Sequence, residues 1–518
     1  MSASLLRSIP QSWPKPVLTS FVANGFVAPT AASGDKLYTL VRSATNEPIG
    51  QYEVATPTVV KQAVDAAQKA QVAWARRSPI ERGRVLLEAS RLLRQRTNQL
   101  AELETLNTSR PIAETLVVDI QSAADCFEYF GGSVSAQQVG ETHDFPNGAF
   151  VYTRREPLGV TAGIGAFNYP IQSAAWKAAP ALAFGNAMVF KPAEDTPWTA
   201  LALAEILKEA GLPEGLFSVV LGAGQVGAML TSDPRIAKIS FTGSAATGAK
   251  IASSSGNELR KVTLELGGKS PLIIFDDCDL DKAVSGALLS NFYSNGEVCS
   301  NGTRVFVHEK IHDQFLQKLV SRVSKLRIGD PMDPETDIGA LITEKHLQKV
   351  LGFVERGKAD GAKLVYGGER LTTPKQFHKM TTSQLLKGAY MTPAVFSHVK
   401  DDSELAKTEV FGPVAAVLSF KTEDEVIERA NDTVFGLAAG VFTNDLSRAH
   451  RVIHSLHAGQ CWINHFNLAP VEIPWGGYKK SGMGRENGTE AIHYWTQIKT
   501  VHVESTKSGI VDPYPHAH

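Results

Sequence analysis

Val160-Thr-Ala-Gly-Ile-Gly-Ala166 opens the stretch that decides the fold. It is followed by four more short apolar segments: Ala187-Met-Val-Phe190, Phe217-Ser-Val-Val-Leu221, Lys238-Ile-Ser-Phe241 and Val262-Thr-Leu-Glu-Leu266. Between them lie helical patterns near 171–184, 197–210, 225–231 and 245–255. Strands alternating with helices of this length specify a parallel, doubly wound sheet, because each crossover helix must cover one face of the sheet. A second round starts at Pro271-Leu-Ile-Ile-Phe275 and runs through Thr303–Val307, Val414–Phe420 and Gly440–Thr443, which reads as a second α/β domain. Upstream, 58–109 and the stretch from Ile112 to Phe130 carry apolar residues at helical spacing. Phe150-Val-Tyr-Thr-Arg-Arg-Glu156 and Ile498 to Glu504 read as strands outside both rounds. Isolated strands are marginal, so these two are expected to pair with each other or with another subunit.

The bulk properties bound the function. A chain of 518 residues is too long for one ordinary core, and 43% apolar with 20% charged residues is typical of a globular protein. A net charge of −1 gives no basic field for nucleic acid or anionic lipid. Pro157 to Trp176 lacks charge, but its glycines, prolines, Asn168 and Gln172 read as a buried strand and helix rather than a membrane span. The four cysteines, 126, 278, 299 and 461, form no CxxC. That argues against a disulfide framework or a zinc ribbon, so no metal centre is expected, and it favours a reducing compartment. The cytoplasm is expected. Arg7 and Lys15 precede the first acid, Asp35, among serines, which leaves a mitochondrial matrix address as the alternative. Residues 1–20 otherwise read as an unstructured start.

Chemistry enters at Asn295-Gly-Glu-Val-Cys-Ser-Asn-Gly-Thr-Arg304. Cys299 sits in a Gly/Asn-rich turn after the apolar segment Val284 to Phe292, where a packing cysteine would lie inside the run. Cys126, Cys278 and Cys461 read as ordinary core or loop residues. Glu265, between Leu264 and Leu266 and followed by Gly267-Gly268, is a carboxylate in an apolar setting. A loop thiol with such a carboxylate suggests an activated nucleophile and a tuned base. Other signals fall at strand ends, where open α/β sheets collect ligands. Gly222-Ala-Gly-Gln-Val-Gly227 matches GxGxxG, but no acid follows at ribose-binding distance, and a plain packing turn is the competing reading. Phe241-Thr-Gly243-Ser244 turns a strand into a helix whose free N–H groups suit a phosphate. Lys191 and Glu194 follow the Ala187–Phe190 strand, as site residues or as solvated loop residues.

Together these segments resemble the NAD(P)-dependent aldehyde dehydrogenases. The matching motifs are Phe167-Asn168-Tyr-Pro, Lys191-Pro-Ala-Glu194, Phe241-Thr-Gly-Ser244, Leu264-Glu265-Leu-Gly-Gly-Lys269, Gly296-Glu-Val-Cys299, Glu409-Val-Phe-Gly-Pro413 and Pro474-Trp-Gly-Gly-Tyr-Lys-Lys-Ser-Gly482, in the family's order. The resemblance implies an α/β fold with a Rossmann-like coenzyme domain (21–133 and 153–267) and an α/β catalytic domain (268–474). It also implies a small β oligomerisation arm (134–152 and 475–505), a tail at 506–518, and assembly as a homotetramer or homodimer. It further implies that Cys299 attacks an aldehyde while the Asn168 amide and the Cys299 N–H hold the oxyanion. Glu265 then activates water against the thioester, and Lys177 with Glu486 relays its proton. Lys191 and Glu409 would grip the riboses, Gly243 and Ser244 the phosphates, and Phe411 would pack beside the nicotinamide. Glu194 can accept from a ribose 2′-OH but repels a 2′-phosphate, so NAD is the expected cofactor. One position departs from the pattern: Glu297 stands where the family has Gln. A carboxylate close to the sulfur would disfavour the thiolate, so its side chain is expected to point away.

Tyr169, Trp176, Tyr293 and Trp475 resemble the aromatic cage of betaine aldehyde dehydrogenases, a receptor suited to a quaternary ammonium that only π faces can hold. Core packing is the competing reading of these rings. Asn301 to Val307 and Val471 to Gly482 resemble the subgroup acting on 4-trimethylaminobutyraldehyde and betaine aldehyde. Relatives that prefer ω-aminoaldehydes carry clustered acids near 119–122, where this chain has Asp119, Gln121 and Ser122. The expected reaction is NAD-dependent oxidation of a trimethylammonium aldehyde to its acid, with a broad aldehyde or aminoaldehyde dehydrogenase as the alternative. An inactive structural relative would be expected to lack Cys299, Glu265 or Asn168, and all three are present.

Overall fold

Each apolar segment of the first round becomes a strand, buried along its whole length in Val160–Ile164, Ala187–Lys191 and Phe217–Val219. In the computed structural model, which describes residues 17–28, 37–505, 509, 513–514 and 516, the first sheet has eight strands. Their spatial order is Gly482–Met483, Lys261–Glu265, Ile236–Thr242, Val160–Ile164, Ala187–Lys191, Phe217–Val219, Phe21–Val22 and Gly25–Phe26. The five central strands are parallel. The chain moves outward in one direction from Val160–Ile164, then returns to lay Ile236–Thr242 on its other side. The order therefore reverses between these two strands, which opens a crevice at their carboxyl ends.

The second sheet has seven strands, in the order Lys363–Tyr366, Ala394–Ser397, Val414–Phe420, Arg304–His308, Pro271–Ile274, Ala438–Phe442 and Gln460–Ile463. Each sheet has its own buried apolar cluster, one around Leu182, Val189 and Phe217 and the other around Ile273, Phe306 and Val417. The 58–109 region divides into helices Pro57–Arg76, Pro79–Gln95 and Thr97–Thr108. Proline opens the first two, and Ser78 and Glu81 close a reciprocal capping box on the second. The expected second helical stretch carries a π-helical turn, Thr115–Asp119, before Ile120–Gln137.

Phe150–Pro157 and Thr496–Val503 pair antiparallel along their whole lengths, with Thr142–Asp144 on the outer edge. The 475–505 span divides. Trp475 sits in the first core, Gly482–Met483 joins the first sheet, and Thr496–Val503 forms the arm. The expected unstructured start needs correction at its end, because Val17–Leu18 pairs in parallel with Gln51 and Tyr52. The presequence-like residues Arg7 and Lys15 lie outside the described residues. The uncharged run from Pro157 resolves into strand Val160–Ile164 and helix Pro170–Ala183, and no described helix is long and apolar enough to cross a membrane.

Candidate active site

Three chain segments converge at the reversal of the first sheet. The loop after Val160–Ile164 carries Asn168 and Tyr169, the turn after Ile236–Thr242 carries Gly243 and Ser244, and strand Lys261–Glu265 ends on Glu265. The second domain supplies Cys299 from the loop before Arg304–His308. Gly268 allows this meeting, since a Cβ there would stand 2.5 Å from the Cys299 carbonyl oxygen. The turn before the cysteine places Ser294 and Asn295 at φ 52° and 56°, in the left-handed region. Asn295 pins it, accepting from Gly339 N at 2.8 Å and donating to Ala340 O at 2.9 Å.

Two cavities, of about 710 and 660 Å³, meet here. Asn168, Thr242, Glu265 and Cys299 line both. Asn168 is 7% exposed, and its Nδ2 donates to Glu297 O at 2.8 Å. This orients the amide and leaves its second N–H available. The Glu265 carboxylate is buried with neither oxygen hydrogen-bonded among the described residues. Such an orphan costs about 1–3 kcal/mol or more, so it adds nothing to stability and is a candidate for chemistry. Burial, and then the nearby Glu486, hold Glu265 well above the usual carboxylate range. Burial pushes the Cys299 thiol up to about 12, with the Glu409 and Glu265 carboxylates adding to it. The thiol is therefore protonated at pH 7 in the free protein. Behind them, Lys177 Nζ donates to Glu486 Oε1 at 2.6 Å and to Ser240 Oγ at 3.1 Å.

Glu297 turns away from the sulfur. Its Oε1 accepts from Ile342 N at 3.1 Å and lies 3.6 Å from His346 Nε2, and burial raises its carboxyl to about 8. Position 297 therefore carries a buried structural acid on the far side of the nucleophile loop.

The larger cavity fits a dinucleotide. Lys191, Glu194, Gly243, Ser244, Glu409 and Phe411 line it, with Gly224 and Gly227 of the GxGxxG stretch. Helices Gly224–Ser232 and Ala245–Asn257 both begin at its wall, and N–H groups at helix starts suit an anion. A Cβ at Gly227 would project to 3.6 Å from the Lys191 stem, into the space that separates them. Lys191 Nζ donates to Pro192 O and Gly222 O, both at 2.7 Å, and burial lowers it to about 8. Glu194 lies 4.0 Å from that amine at the mouth. Glu409 accepts from Gly268 N at 3.1 Å, and the Phe411 ring is steadied by Phe167 at 5.6 Å and His346 at 6.2 Å.

All four expected cage rings, Tyr169, Trp176, Tyr293 and Trp475, line the second cavity. Trp475 meets Trp176 edge-on at 5.9 Å, and Trp176 Nε1 donates to Ser122 Oγ at 3.1 Å. Gln121, Ser122, Asp125 and Glu472 also reach this cavity. Asp119 is instead fully buried and committed to Arg110. Sequence reasoning missed Thr242, Asp125, Glu472 and Arg110. Thr242 carried a local signal, as the last residue of a strand entering the motif, whereas the other three come into play only through packing.

The loop carrying Cys299 in one α/β domain faces the crevice of the other, and the chain belongs to the aldehyde dehydrogenase family, whose family model matches residues 30–501. Among its relatives, the betaine aldehyde dehydrogenase of Mesorhizobium japonicum is 55% identical over 92% of this chain and 95% of its own length. That of Brucella anthropi is 52% identical over 96% and 99%. The crystal structure of Staphylococcus aureus betaine aldehyde dehydrogenase in complex with NAD+ superposes with a TM-score of 0.91 at 33% identity, covering 99% of this chain and 98% of that one. The protein is an NAD-dependent aldehyde dehydrogenase.

Proposed function

We propose that the chain oxidises aldehydes bearing a quaternary ammonium, with betaine aldehyde and 4-trimethylaminobutyraldehyde as its substrates. The observation that carries this reading is the set of four aromatic rings lining the cavity that ends on Cys299. A quaternary nitrogen cannot donate a hydrogen bond, so ring faces are its natural receptor. Asp125 and Glu472 on the same cavity favour a cation and disfavour an anionic substrate. The names of the Mesorhizobium and Brucella relatives favour betaine aldehyde.

In this reading Cys299 gives its proton to solvent water, and the thiolate sulfur attacks the aldehyde carbon as the carbonyl π bond opens onto oxygen. The new oxyanion accepts from the free N–H of Asn168 Nδ2 and from the Cys299 backbone N–H. NAD, when bound in the larger cavity, supplies the acceptor for the hydride leaving that carbon. Lys191 and Glu194 would bind a ribose, Gly243 and Ser244 would face the phosphates, and Glu409 and Phe411 would hold the nicotinamide end. The acyl group left on sulfur is released when Glu265 takes a proton from water and the resulting hydroxide attacks the carbonyl. Lys177 and Glu486 then pass that proton away. Pairing of Phe150–Pro157 with Thr496–Val503 leaves an exposed sheet edge, which supports assembly as a dimer or tetramer through this arm. The four free cysteines support a reducing, cytoplasmic location. The test is NADH absorbance with betaine aldehyde, 4-trimethylaminobutyraldehyde and hexanal. The cationic aldehydes should have the higher kcat/KM, and a preference for hexanal would establish the broad-specificity alternative instead.

A further inference from the structure

Arg110 has no part in the chemistry above, yet this buried cation ties several parts of the site together. Its guanidinium is fully buried and lies 4.0 Å from the centre of the Tyr169 ring. One arm, Nη1, donates to the main-chain oxygen of Asn168 at 2.9 Å. The same arm and its neighbour fork onto Asp119 at 2.5 and 3.0 Å. Glu114 lies 3.5 Å away and accepts from Ser294 N at 3.1 Å and Ser294 Oγ at 3.0 Å. The circuit closes at the front, where Ser294 Oγ and the Tyr169 hydroxyl are 2.7 Å apart.

Two parts of the site therefore hang on one side chain. Asn168 and Tyr169 are consecutive, and the hydrogen bond to the Asn168 carbonyl sets the peptide that joins them. Through Glu114, the same cluster grips Ser294, whose left-handed backbone follows the cage residue Tyr293 directly. Only a planar fork can stack on a ring, chelate a carboxylate and reach a carbonyl at once; a lysine ammonium satisfies one of these geometries at a time. Removing the cation would also leave Asp119 and Glu114 unpaired in the interior, which forces local rearrangement.

We propose that Arg110 is the positioning residue that sets the oxyanion donor Asn168 and the cage rings Tyr169 and Tyr293 as one unit, an assignment that rests on the function proposed above. Because a misplacement near 1 Å can lower rates about 100-fold, Arg110→Lys should lower kcat at least about tenfold with betaine aldehyde and with hexanal. It should also raise KM severalfold for betaine aldehyde alone, leaving KM for NAD near the wild-type value. Ser294→Ala, which opens the circuit by deleting one hydroxyl, should lower the betaine aldehyde to hexanal ratio of kcat/KM by about fivefold, the loss expected of one hydrogen bond. A folded Arg110→Lys with wild-type kcat and an unchanged substrate ratio would overturn the proposal. Should Arg110→Lys fail to fold, an unchanged ratio in Ser294→Ala overturns it instead. Wild-type protein is assayed first: inactivity of the wild type refutes the functional reading, whereas active wild type with indifferent variants refutes only the role of Arg110.

Discussion

Trp475→Ala isolates the ring on which the substrate assignment leans most. Trp475 is 8% exposed and packs edge-on to Trp176 at 5.9 Å and near Trp462 at 6.4 Å, with its remaining surface on the substrate cavity. Its main chain exchanges hydrogen bonds with Glu486 at 2.7 and 2.8 Å, so truncating the side chain leaves the backbone tie to the Lys177 pair in place. A desolvated cation–π contact contributes about 1–2 kcal/mol. At about 1.4 kcal/mol per factor of ten, KM for betaine aldehyde should rise roughly 5- to 30-fold. Hexanal has no cation to lose and should suffer only a weaker loss of apolar contact. The stability loss, about 3 kcal/mol as for other buried large-to-small changes, is the same in both assays and cancels from the comparison. The measurement is kcat and KM for both aldehydes at saturating NAD. Equal losses for the two, or none for betaine aldehyde, would refute the cage.

Glu265→Gln should show one NADH released per site in a rapid burst, followed by turnover slowed about 10²–10⁴-fold, because acylation survives and deacylation loses its base; stopped-flow absorbance reads both phases, and a wild-type steady state would exclude Glu265 as that base. Asn168→Ala should lower kcat about 10²–10³-fold, the usual loss of one oxyanion donor, with little change in KM for NAD. The thiol at about 12 is protonated at neutral pH, and only the thiolate reacts. Alkylation of the coenzyme-free protein by iodoacetamide should therefore quicken about tenfold per pH unit from pH 7 to beyond pH 9, and a plateau below pH 8 would contradict a thiol raised this far. Glu297→Gln should leave that profile unchanged, since its carboxylate faces Ile342 N rather than the sulfur; a shift of the profile toward lower pH would show that Glu297 acts on Cys299 after all.

Local pattern and local chemistry carried much of this protein. Alternation of short apolar runs with helical spacing specifies the parallel sheets, since a strand buried on both faces must be apolar throughout and its crossover must be amphipathic. Cys299 and Glu265 are conspicuous in a linear reading because each is a polar group in the wrong surroundings, a thiol beyond its apolar run and a carboxylate within one; Asn168 stands out only by its place in the Phe167-Asn168-Tyr-Pro motif. The short strands were less legible, because Val17–Leu18 and Gly482–Met483 have two residues each and too little periodicity to register. Their pairing depends on partners far away in the chain. Distance and direction lay wholly with the tertiary structure. Nothing local distinguishes Glu297, two residues from the nucleophile yet turned toward His346, from a carboxylate that faces the sulfur. Nor does spacing reveal that Asp119 is spent on Arg110 while Asp125 reaches the cavity. Which side chains share a wall depends on loops from two domains meeting at the reversal of one sheet, and on glycines such as Gly268 that let them approach. Linear pattern specifies most of the elements and the candidate reactive groups; packing decides which of those groups see one another, because burial, orientation and pairing arise only once distant segments are brought together.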